Sequence, residues 1–311
     1  NKGGGNVKIT GIVCEYNPFH NGHLYHLKKT RENGATHIVA VMSGNYVQRG
    51  DTAVMDKFER AKLAVKGGAD LVIEIPTVYA LSSAEFYAKG AIYILDSLGC
   101  VDEISFGSEA GSVSELEKAA EIADECSGAP ELEEYLKSGM SYPNAINTMI
   151  YSSYGKKLSN RISDILASPN NVLAVEYLKA LRRLNSSITP FTIQRKSAAH
   201  DSMTVLDGIS SASYIRKCMN EKSDFSGLVP AYVSQAYINA YSAGKTADIS
   251  NLERIIIYKL RTSSPEELRE IPDVGQGLEY RILAAADKNN LDEIFMSIKT
   301  CLLYTSDAAD E

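Results

Sequence analysis

The chain has 311 residues, 44% of them hydrophobic and 23% charged, and a formal net charge of −7. This composition is typical of a globular enzyme, and its acidic balance means that any nucleic-acid contact must use a local basic face. The cysteines are scattered without a C-x-x-C pair, which argues against a disulfide framework or a structural zinc site. No signal peptide is visible, and no apolar run approaches the about 18 residues that a membrane span needs. These features predict a cytoplasmic protein with no membrane partner.

The first half alternates strand-like and helix-like segments. The predicted strands are VKITGIVC (7–14), THIVAVM (36–42), ADLVIEIP (69–76) and VDEISFGSE (101–109). The predicted helices are GHLYHLKKTRE (22–32), MDKFERAKLAVKGG (55–68), SSAEFYAKGAIYILDSLG (82–99) and VSELEKAAEIADEC (113–126). This alternation predicts an α/β protein whose parallel sheet is covered on both faces, with ligands beyond the carboxyl ends of the strands.

From about residue 130 the pattern becomes helical. The predicted helices here are PELEEYLKSG (130–139), YPNAINTMIYSSYG (142–155) and SPNNVLAVEYLKALRRLN (168–185). One more strand is predicted at ITPFTIQR (188–195), and SSASYIRKCMN (210–220) has the pattern of a helix start. The remainder, to about residue 300, is predicted to be mostly helical.

The loop after the first strand, within EYNPFHNGHLYHL (15–27), is the main candidate site. A helix is expected to begin near Gly22, where free backbone N–H groups and the helix dipole favour an anion. His20 and His23 can donate hydrogen bonds into the charge that develops during nucleotidyl transfer, and donors of this kind each contribute about 3 kcal/mol. Outside this strand–loop–helix context, two such histidines would be surface residues or a metal pair.

EYNPFHNGH resembles the H-x-G-H signature of the nucleotidyltransferase superfamily that includes adenylyltransferases and class I aminoacyl-tRNA synthetases. Four further stretches resemble the bacterial tRNA(Met) cytidine acetate ligase family: AVMSGNYVQRGD (40–51), GADLVIEIP (68–76), FGSE (106–109) and SPNNVLAVEYLKAL (168–181). The resemblance runs from Val7 to about Lys299. It implies an α/β fold with a Rossmann-like, HIGH-type nucleotidyltransferase sheet and a following, mostly helical domain.

The resemblance also implies an activity. That family activates acetate with ATP to acetyl-adenylate and transfers the acetyl group to the wobble cytidine of elongator tRNA(Met), forming N4-acetylcytidine. The expected co-substrate is therefore ATP, with Mg²⁺ on its phosphates and no metal held by a dedicated protein site. Two alternatives stay open: a small-molecule adenylyltransferase, and a non-catalytic RNA-binding protein with the same fold. The sequence identifies neither the acetate pocket, nor the tRNA-contacting residues, nor the oligomeric state.

Site residues follow from the same resemblance. His20 and His23 are expected to be catalytic. The ATP-binding residues are expected to be Val13, Cys14, Glu15, Tyr16, Asn17, Pro18, Phe19, His20, Asn21, Gly22, His23, Leu24, Tyr25, His26, Gly107, Asn170 and Arg195. SSASYIRK resembles the I-S-x-T-x-x-R element of the superfamily, which adds Ser213 and Arg216 as phosphate-binding residues. Taken singly, Gly107, Asn170 and Arg195 also fit a turn glycine, a helix cap and a surface arginine, and SSASYIRK also fits an ordinary capped helix.

Two further features fit a nucleotide site less specifically. SGNYVQRGD (43–51) contains two glycines and is predicted to be a mobile lid. Lys57 and Arg60 follow at helical spacing and either face phosphates or RNA or belong to a solvated helix face. The basic pairs at 156–157, 182–183, 195–196 and 216–217 either form a tRNA face or are simply solvated.

We divide the chain into five segments. Residues 1–6 are expected to be a non-native leader, and residues 301–311 (CLLYTSDAADE) resemble the translated read-through of a sequencing adapter. Residues 7–130 are assigned to the first part of the nucleotidyltransferase domain, and 131–220 to a helical insertion with the remaining nucleotide-site elements. Residues 221–300 are assigned to a C-terminal helical region, which the adapter-like tail predicts to be truncated.

Overall fold

The structure is a computed structural model, and it describes residues 7–140, 142–195, 210–271, 274–275 and 277–298. The predicted leader and the adapter-like tail lie outside the described residues. The strands are β1 (Ile9–Cys14), β2 (His37–Ser43), β3 (Tyr46–Val47), β4 (Asp51–Thr52), β5 (Leu71–Ile75), β6 (Glu103–Ser108) and β7 (Thr189–Gln194).

Helices surround and follow these strands. The first five are α1 (Asn21–Glu32), α2 (Lys57–Gly67), α3 (Thr77–Ala80), α4 (Ala84–Ser97) and α5 (Val113–Ser127). The next five are α6 (Pro130–Lys137), α7 (Tyr142–Tyr154), α8 (Lys156–Leu166), α9 (Pro169–Leu184) and α10 (Ala212–Glu221). The last five are α11 (Ala231–Ser242), α12 (Glu253–Thr262), α13 (Pro265–Arg269), α14 (Leu278–Ala285) and α15 (Leu291–Ile298).

A five-stranded parallel sheet forms the centre, in the order β5–β2–β1–β6–β7. The chain winds outward from β1 in one direction through β2 and β5, and in the other through β6 and β7. The strand order therefore reverses at β1, and in such sheets the crevice beyond the carboxyl ends of the central strands is the usual ligand site. The short strands β3 and β4 form a separate antiparallel hairpin after β2.

Each face of the sheet packs on its own hydrophobic core. Val39 and Val41 of β2 belong to the core that contains α4, α5 and α9. Ile38, Ala40 and Met42 alternate with them and belong to the core that contains α1, α2, α10 and α11. Because successive side chains of a strand point to opposite faces, a strand buried on both faces is apolar throughout. The predicted α/β class and the coverage of both faces are confirmed.

The later helices divide between these cores and a smaller one. Ile146 of α7 and Ile162 of α8 belong to the same core as the sheet, so the helical insertion packs directly on the α/β layer. Ile257 of α12 and Ile294 of α15 belong to a small separate cluster. The predicted division at residue 220 stays a prediction, and the change of core falls later, after α11. Among the described helices, none is long and apolar enough to cross a bilayer.

Candidate active site

A cavity of about 310 Å³ lies beyond the carboxyl ends of β1 and β6. It is lined by residues from the loop after β1, the hairpin, α1, α9 and α10. The predicted site residues that line it are Val13, Cys14, Glu15, Tyr16, Asn17, His20, His23, His26, Gly107, Asn170, Arg195, Ser213 and Arg216. Residues as far apart in sequence as Val13 and Arg216 therefore share one cavity.

The N-terminus of α1 is capped by the two histidines. His20 is the N-cap, and its Nδ1 accepts a hydrogen bond from the Gly22 N–H at 3.0 Å. His23, at the third helical position, accepts the His20 N–H on its Nδ1 at 3.2 Å. The two rings stack with centroids 3.7 Å apart. Histidine thus fills both positions of a reciprocal cap that serine and glutamate usually occupy.

This capping arrangement determines the tautomer of each neutral ring. A ring nitrogen that accepts a backbone N–H carries no proton, so the proton of the neutral imidazole lies on Nε2. His20 and His23 therefore each offer an Nε2–H donor, and both side chains line the cavity. Two fixed donors at a helix N-terminus make an anion site for which no rotation of either ring is needed.

His26 has the same tautomer, but its ring proton is used within the fold. The Thr30 hydroxyl donates to the His26 carbonyl oxygen at 3.0 Å, and Thr30 Oγ1 lies 2.8 Å from Ser105 Oγ. Ser105 can then donate only to Thr30, so it accepts from His26 Nε2 at 2.9 Å. Neutral His26 therefore carries its proton on Nε2 and donates it to Ser105 of β6, and its Nδ1 is an acceptor.

Burial keeps these imidazoles neutral. Desolvation, with a smaller contribution from the nearby Arg195 and Arg216 charges, lowers the pKa of His20 to about 3. Desolvation and Arg195 lower the pKa of His26 to about 4. The pKa of His23 is also well below its usual value, because of burial and the neighbouring His20. At neutral pH the positive charge of the cavity therefore comes from the arginines.

The N-terminal part of a second helix, α10, also lines the cavity. Ser211 caps α10 by accepting the Tyr214 N–H at 3.1 Å, and Ser213 lies in the first turn of the helix. Arg216 donates from Nη1 to the Asn17 carbonyl oxygen at 3.0 Å, which ties α10 to the loop after β1. Ser211, Ser213 and Arg216 all line the cavity, so this end of α10 can also interact with an anionic group.

Gly107 and Arg195 pack closely at the β6 side of the cavity. A Cβ added at Gly107 would lie 3.2 Å from Arg195 Cγ, so the glycine makes room for the arginine stem. Arg195 Nη1 donates to Asn170 Oδ1 at 3.0 Å. These three predicted site residues therefore form one contact group at the cavity, and their contacts with ATP stay a prediction.

Six residues of the predicted ATP-binding set do not line this cavity. Phe19 is fully buried in the core below the loop, and Leu24 is an exposed residue of α1. Asn21 holds the loop before α11 through its Nδ2, which donates to the Gly227 carbonyl oxygen at 3.0 Å. The remaining three are Pro18, Gly22 and Tyr25. Phe19 and Asn21 therefore attach the loop to the core and to the segment before α11.

The cavity also contains residues that sequence reasoning did not select. Val47, Gln48 and Asp51 contribute from the β3–β4 hairpin, at the segment predicted to be a lid. That segment covers one side of the cavity, and its mobility stays a prediction. The apolar wall is formed by Ile12, Tyr87, Phe106, Leu173 and Tyr177. Phe106, Leu173 and Tyr177 lie within the FGSE and SPNNVLAVEYLKAL stretches, but all five side chains have the spacing of ordinary core positions, so none was singled out as a site residue.

Arg60 is not a ligand-facing cation, and that expectation is wrong. Its side chain is fully buried, and its guanidinium donates to the carbonyl oxygens of Met55 at 3.1 Å and Ser43 at 3.0 Å, and also to those of Glu15 and Gly44. The solvated alternative is wrong for the same reason. Arg60 joins the loops after β1 and β2, the two loops that border the cavity.

Other predicted cations are paired with carboxylates. Lys57 forms a salt bridge with Glu74 at 2.6 Å, and Arg183 contacts Glu85 at 2.5 Å. Lys156 and Lys157 are exposed on α8, and Lys196 lies outside the described residues. The tRNA face predicted from basic pairs stays a prediction. Within the described ranges, no group of three or more His, Cys, Asp or Glu side chains is placed to hold a metal ion.

The fold and the site together define a class of protein. A family model described as HIGH Nucleotidyl Transferase matches residues 7–306, which includes the first six residues of the adapter-like tail. The histidine-capped helix after β1, which forms the H-x-G-H signature, lies within this match. The chain has the nucleotidyltransferase architecture over nearly its whole length.

Comparisons with individual proteins narrow the class. The chain is 44% identical over 300 residues to the tRNA(Met) cytidine acetate ligase of Thermoanaerobacter sp. (strain X514), covering 94% of this chain and 73% of that protein. The Alkaliphilus metalliredigens protein of the same name is 38% identical over 310 residues, with the same coverage. The chain therefore belongs to the tRNA(Met) cytidine acetate ligase family of HIGH nucleotidyl transferases.

Solved structures agree with this assignment. The apo crystal structure of Thermotoga maritima TmcAL is 32% identical in sequence and superposes with a TM-score of 0.88, over 96% of this chain and 73% of that one. The form of the same protein bound with alpha-thio ATP gives a TM-score of 0.86. The predicted family and fold are confirmed.

Proposed function

We propose that this protein activates acetate with ATP and transfers the acetyl group to the wobble cytidine of elongator tRNA(Met). The names of the relatives support the overall reaction, and the Thermotoga maritima structure with alpha-thio ATP supports nucleotide binding by this fold. The observation that carries the proposal here is the pair of Nε2–H donors of His20 and His23, which face one cavity with Arg195 and Arg216.

In the first step, an acetate oxygen attacks the α-phosphorus of ATP, and the bond from that phosphorus to the β-phosphate bridging oxygen breaks. Acetate is the nucleophile, so the protein needs no nucleophilic side chain, and positioning and charge stabilisation carry the catalysis. His20 and His23 donate to the oxygens that gain charge. Arg216, Ser213 and the N-terminus of α10 hold the departing pyrophosphate.

In the second step, the exocyclic amine of the cytidine attacks the acetyl carbon of acetyl-adenylate. AMP leaves with the electrons of the broken carbon–oxygen bond, and the amine loses one proton. The base must be unstacked to enter a cavity of this size. The hairpin contributes Gln48 and Asp51 to the lining of this cavity.

A magnesium ion on the phosphates would supply additional charge neutralisation. The described residues offer single carboxylates at the cavity, Glu15 and Asp51, rather than a cluster of ligands. This donor set fits an ion held mainly by phosphate oxygens and water, as magnesium usually is. Glu15 Oε1 accepts the Gln48 N–H at 2.7 Å and Asp51 Oδ1 accepts the Thr52 N–H at 2.6 Å, so each carboxylate already has one oxygen engaged within the fold.

Labelled acetate tests the proposal directly. The protein is incubated with labelled acetate, ATP and elongator tRNA(Met), and the digested nucleosides are separated. We expect label in N4-acetylcytidine, with AMP and pyrophosphate formed in equal amounts, and no label in a matched tRNA whose wobble cytidine is replaced by uridine. Pyrophosphate release that required a phosphorylated metabolite instead of acetate would indicate a small-molecule adenylyltransferase and contradict the proposal.

A further inference from the structure

Glu109 follows β6 and lies behind the cavity, outside its lining. Its Oε1 accepts from Asn170 Nδ2 at 2.7 Å, and its Oε2 accepts from the Asn171 N–H at 3.1 Å. Arg195 Nε lies 3.9 Å from Oε1. One carboxylate thus contacts two residues that do line the cavity, Asn170 and Arg195.

Glu109 also completes the N-terminus of α9. Ser168 is the N-cap of this helix, but its side chain makes no capping hydrogen bond. The carboxylate of Glu109, which follows β6, supplies the missing acceptor for a backbone N–H of the first turn. A negative charge is also favourable at a helix N-terminus. In return, Asn171 Oδ1 accepts the Ala110 N–H at 3.0 Å. The end of β6 and the start of α9 are therefore joined in both directions.

The contact with Glu109 fixes which way the Asn170 amide points. A carboxylate only accepts, so it selects the NH2 group of Asn170 and leaves Oδ1 directed at Arg195. Arg195 only donates, and it bonds to that Oδ1 at 3.0 Å. A rotated amide would present its NH2 to the guanidinium and lose both contacts. The orientation of Asn170 and Arg195 therefore depends on a side chain that does not reach the cavity.

We propose that Glu109 is a positioning residue for the nucleotide, which holds Asn170 and Arg195 in their binding orientation. The nucleotide is ATP if the function proposed above is correct. Asn170 and Arg195 contact bound nucleotide before and during the reaction, so the loss of Glu109 weakens binding uniformly and raises KM with little change in kcat.

Titration calorimetry with ATP and acetate-dependent ATP–pyrophosphate exchange test this role. For Glu109→Ala we expect about tenfold weaker ATP binding, since hydrogen bonds to a charged group are lost, with kcat of exchange within about threefold of wild type. Glu109→Gln keeps the shape and one acceptor, so its ATP affinity should fall between those of wild type and Glu109→Ala. It serves as the informative variant if Glu109→Ala does not fold. The matched control is Glu115→Ala, which removes an exposed carboxylate that pairs with Arg161 at 2.6 Å.

A double-mutant cycle with Asn170→Ala separates positioning from general stabilisation. If Glu109 acts through Asn170, adding Glu109→Ala to Asn170→Ala weakens ATP binding by less than about twofold. Full additivity, or wild-type ATP affinity in both Glu109 variants, would overturn the proposal. The calorimetric arm uses ATP alone. Wild-type protein that binds ATP but shows no acetate-dependent exchange would therefore refute the proposed function without affecting the result for Glu109.

Discussion

His20 and His23 each use one ring nitrogen to cap α1, which leaves the other nitrogen for the cavity. The same hydrogen bonds that start the helix also set the tautomer of each ring, so local folding and chemistry share one set of contacts. Neutral rings suit the predicted role of hydrogen-bond donors to phosphate, because an uncharged donor can approach a phosphate without the cost of burying a cation. Arg195 and Arg216 supply the charge instead.

The histidine pKa values give a prediction that is independent of activity. Nitrogen-15 NMR of the ligand-free protein at pH 6 should show His20 and His23 neutral and protonated on Nε2, because burial lowers both pKa values. The His20 resonance should titrate only toward about pH 3, and that of His26 toward about pH 4. An imidazolium signal from His20 at pH 6 would contradict this description of the site.

The lowered pKa values also link folding to pH. An unfolded histidine takes up a proton near pH 6.5, whereas folded His20 does so only near pH 3. Between these values the unfolded state binds more protons, so the free energy of unfolding decreases as the pH falls from about 7 toward 3. Above pH 7 both states are neutral at these rings, and this contribution does not change.

Among the secondary-structure elements, α2 joins the loops after β1 and β2 through a buried arginine. The helix has basic residues at several positions, yet Arg60 points inward and bonds to carbonyl oxygens of the loops after β1 and β2. Those carbonyls belong to Glu15, Ser43 and Gly44, at or just beyond the ends of β1 and β2. A buried arginine with several donors satisfies them at once, and it thereby holds the loop of His20 against the hairpin.

Replacing Arg60 by methionine should strongly destabilise the fold. The substitution keeps much of the apolar volume but leaves several buried carbonyls without a donor, each costing about 1–3 kcal/mol. We expect a loss of at least about 3 kcal/mol in the free energy of unfolding, measured by urea denaturation. Arg161→Met, which breaks only the exposed pair with Glu115, should change it by less than about 1 kcal/mol. Equal small effects of the two variants would show that the Arg60 contacts are not stabilising.

At the scale of the whole molecule, the alternation of strands and helices was predictable because each carries a local signal. Strands buried on both faces are apolar throughout, and helices such as α2 end at glycines, here Gly68 in the left-handed conformation. The loop of His20 and His23 was predictable for a related reason, since the strand, the glycine and the helix start are adjacent in sequence. The order of the sheet then brings Gly107, Asn170 and Arg216 to the same edge.

What escaped prediction depends on contacts between distant segments. The burial of Arg60 requires carbonyls that lie 16 to 45 positions away along the chain. Glu109 appeared only as part of the FGSE motif, and its role depends on the start of α9, 61 positions later. Tyr87 and Tyr177 look like core residues in the sequence, and they reach the cavity only because α4 and α9 pack side by side.

We propose that the Nε2–H donor of His20 stabilises the charge formed when ATP is cleaved, and His20→Asn tests this role most directly. Asparagine is a preferred N-cap residue, so the variant retains the start of α1 while losing the imidazole donor. We predict a free energy of unfolding within about 1 kcal/mol of wild type. Acetate-dependent ATP–pyrophosphate exchange, measured without tRNA, should fall about 100-fold or more. A folded His20→Asn protein that exchanges pyrophosphate at the wild-type rate would contradict this role of His20.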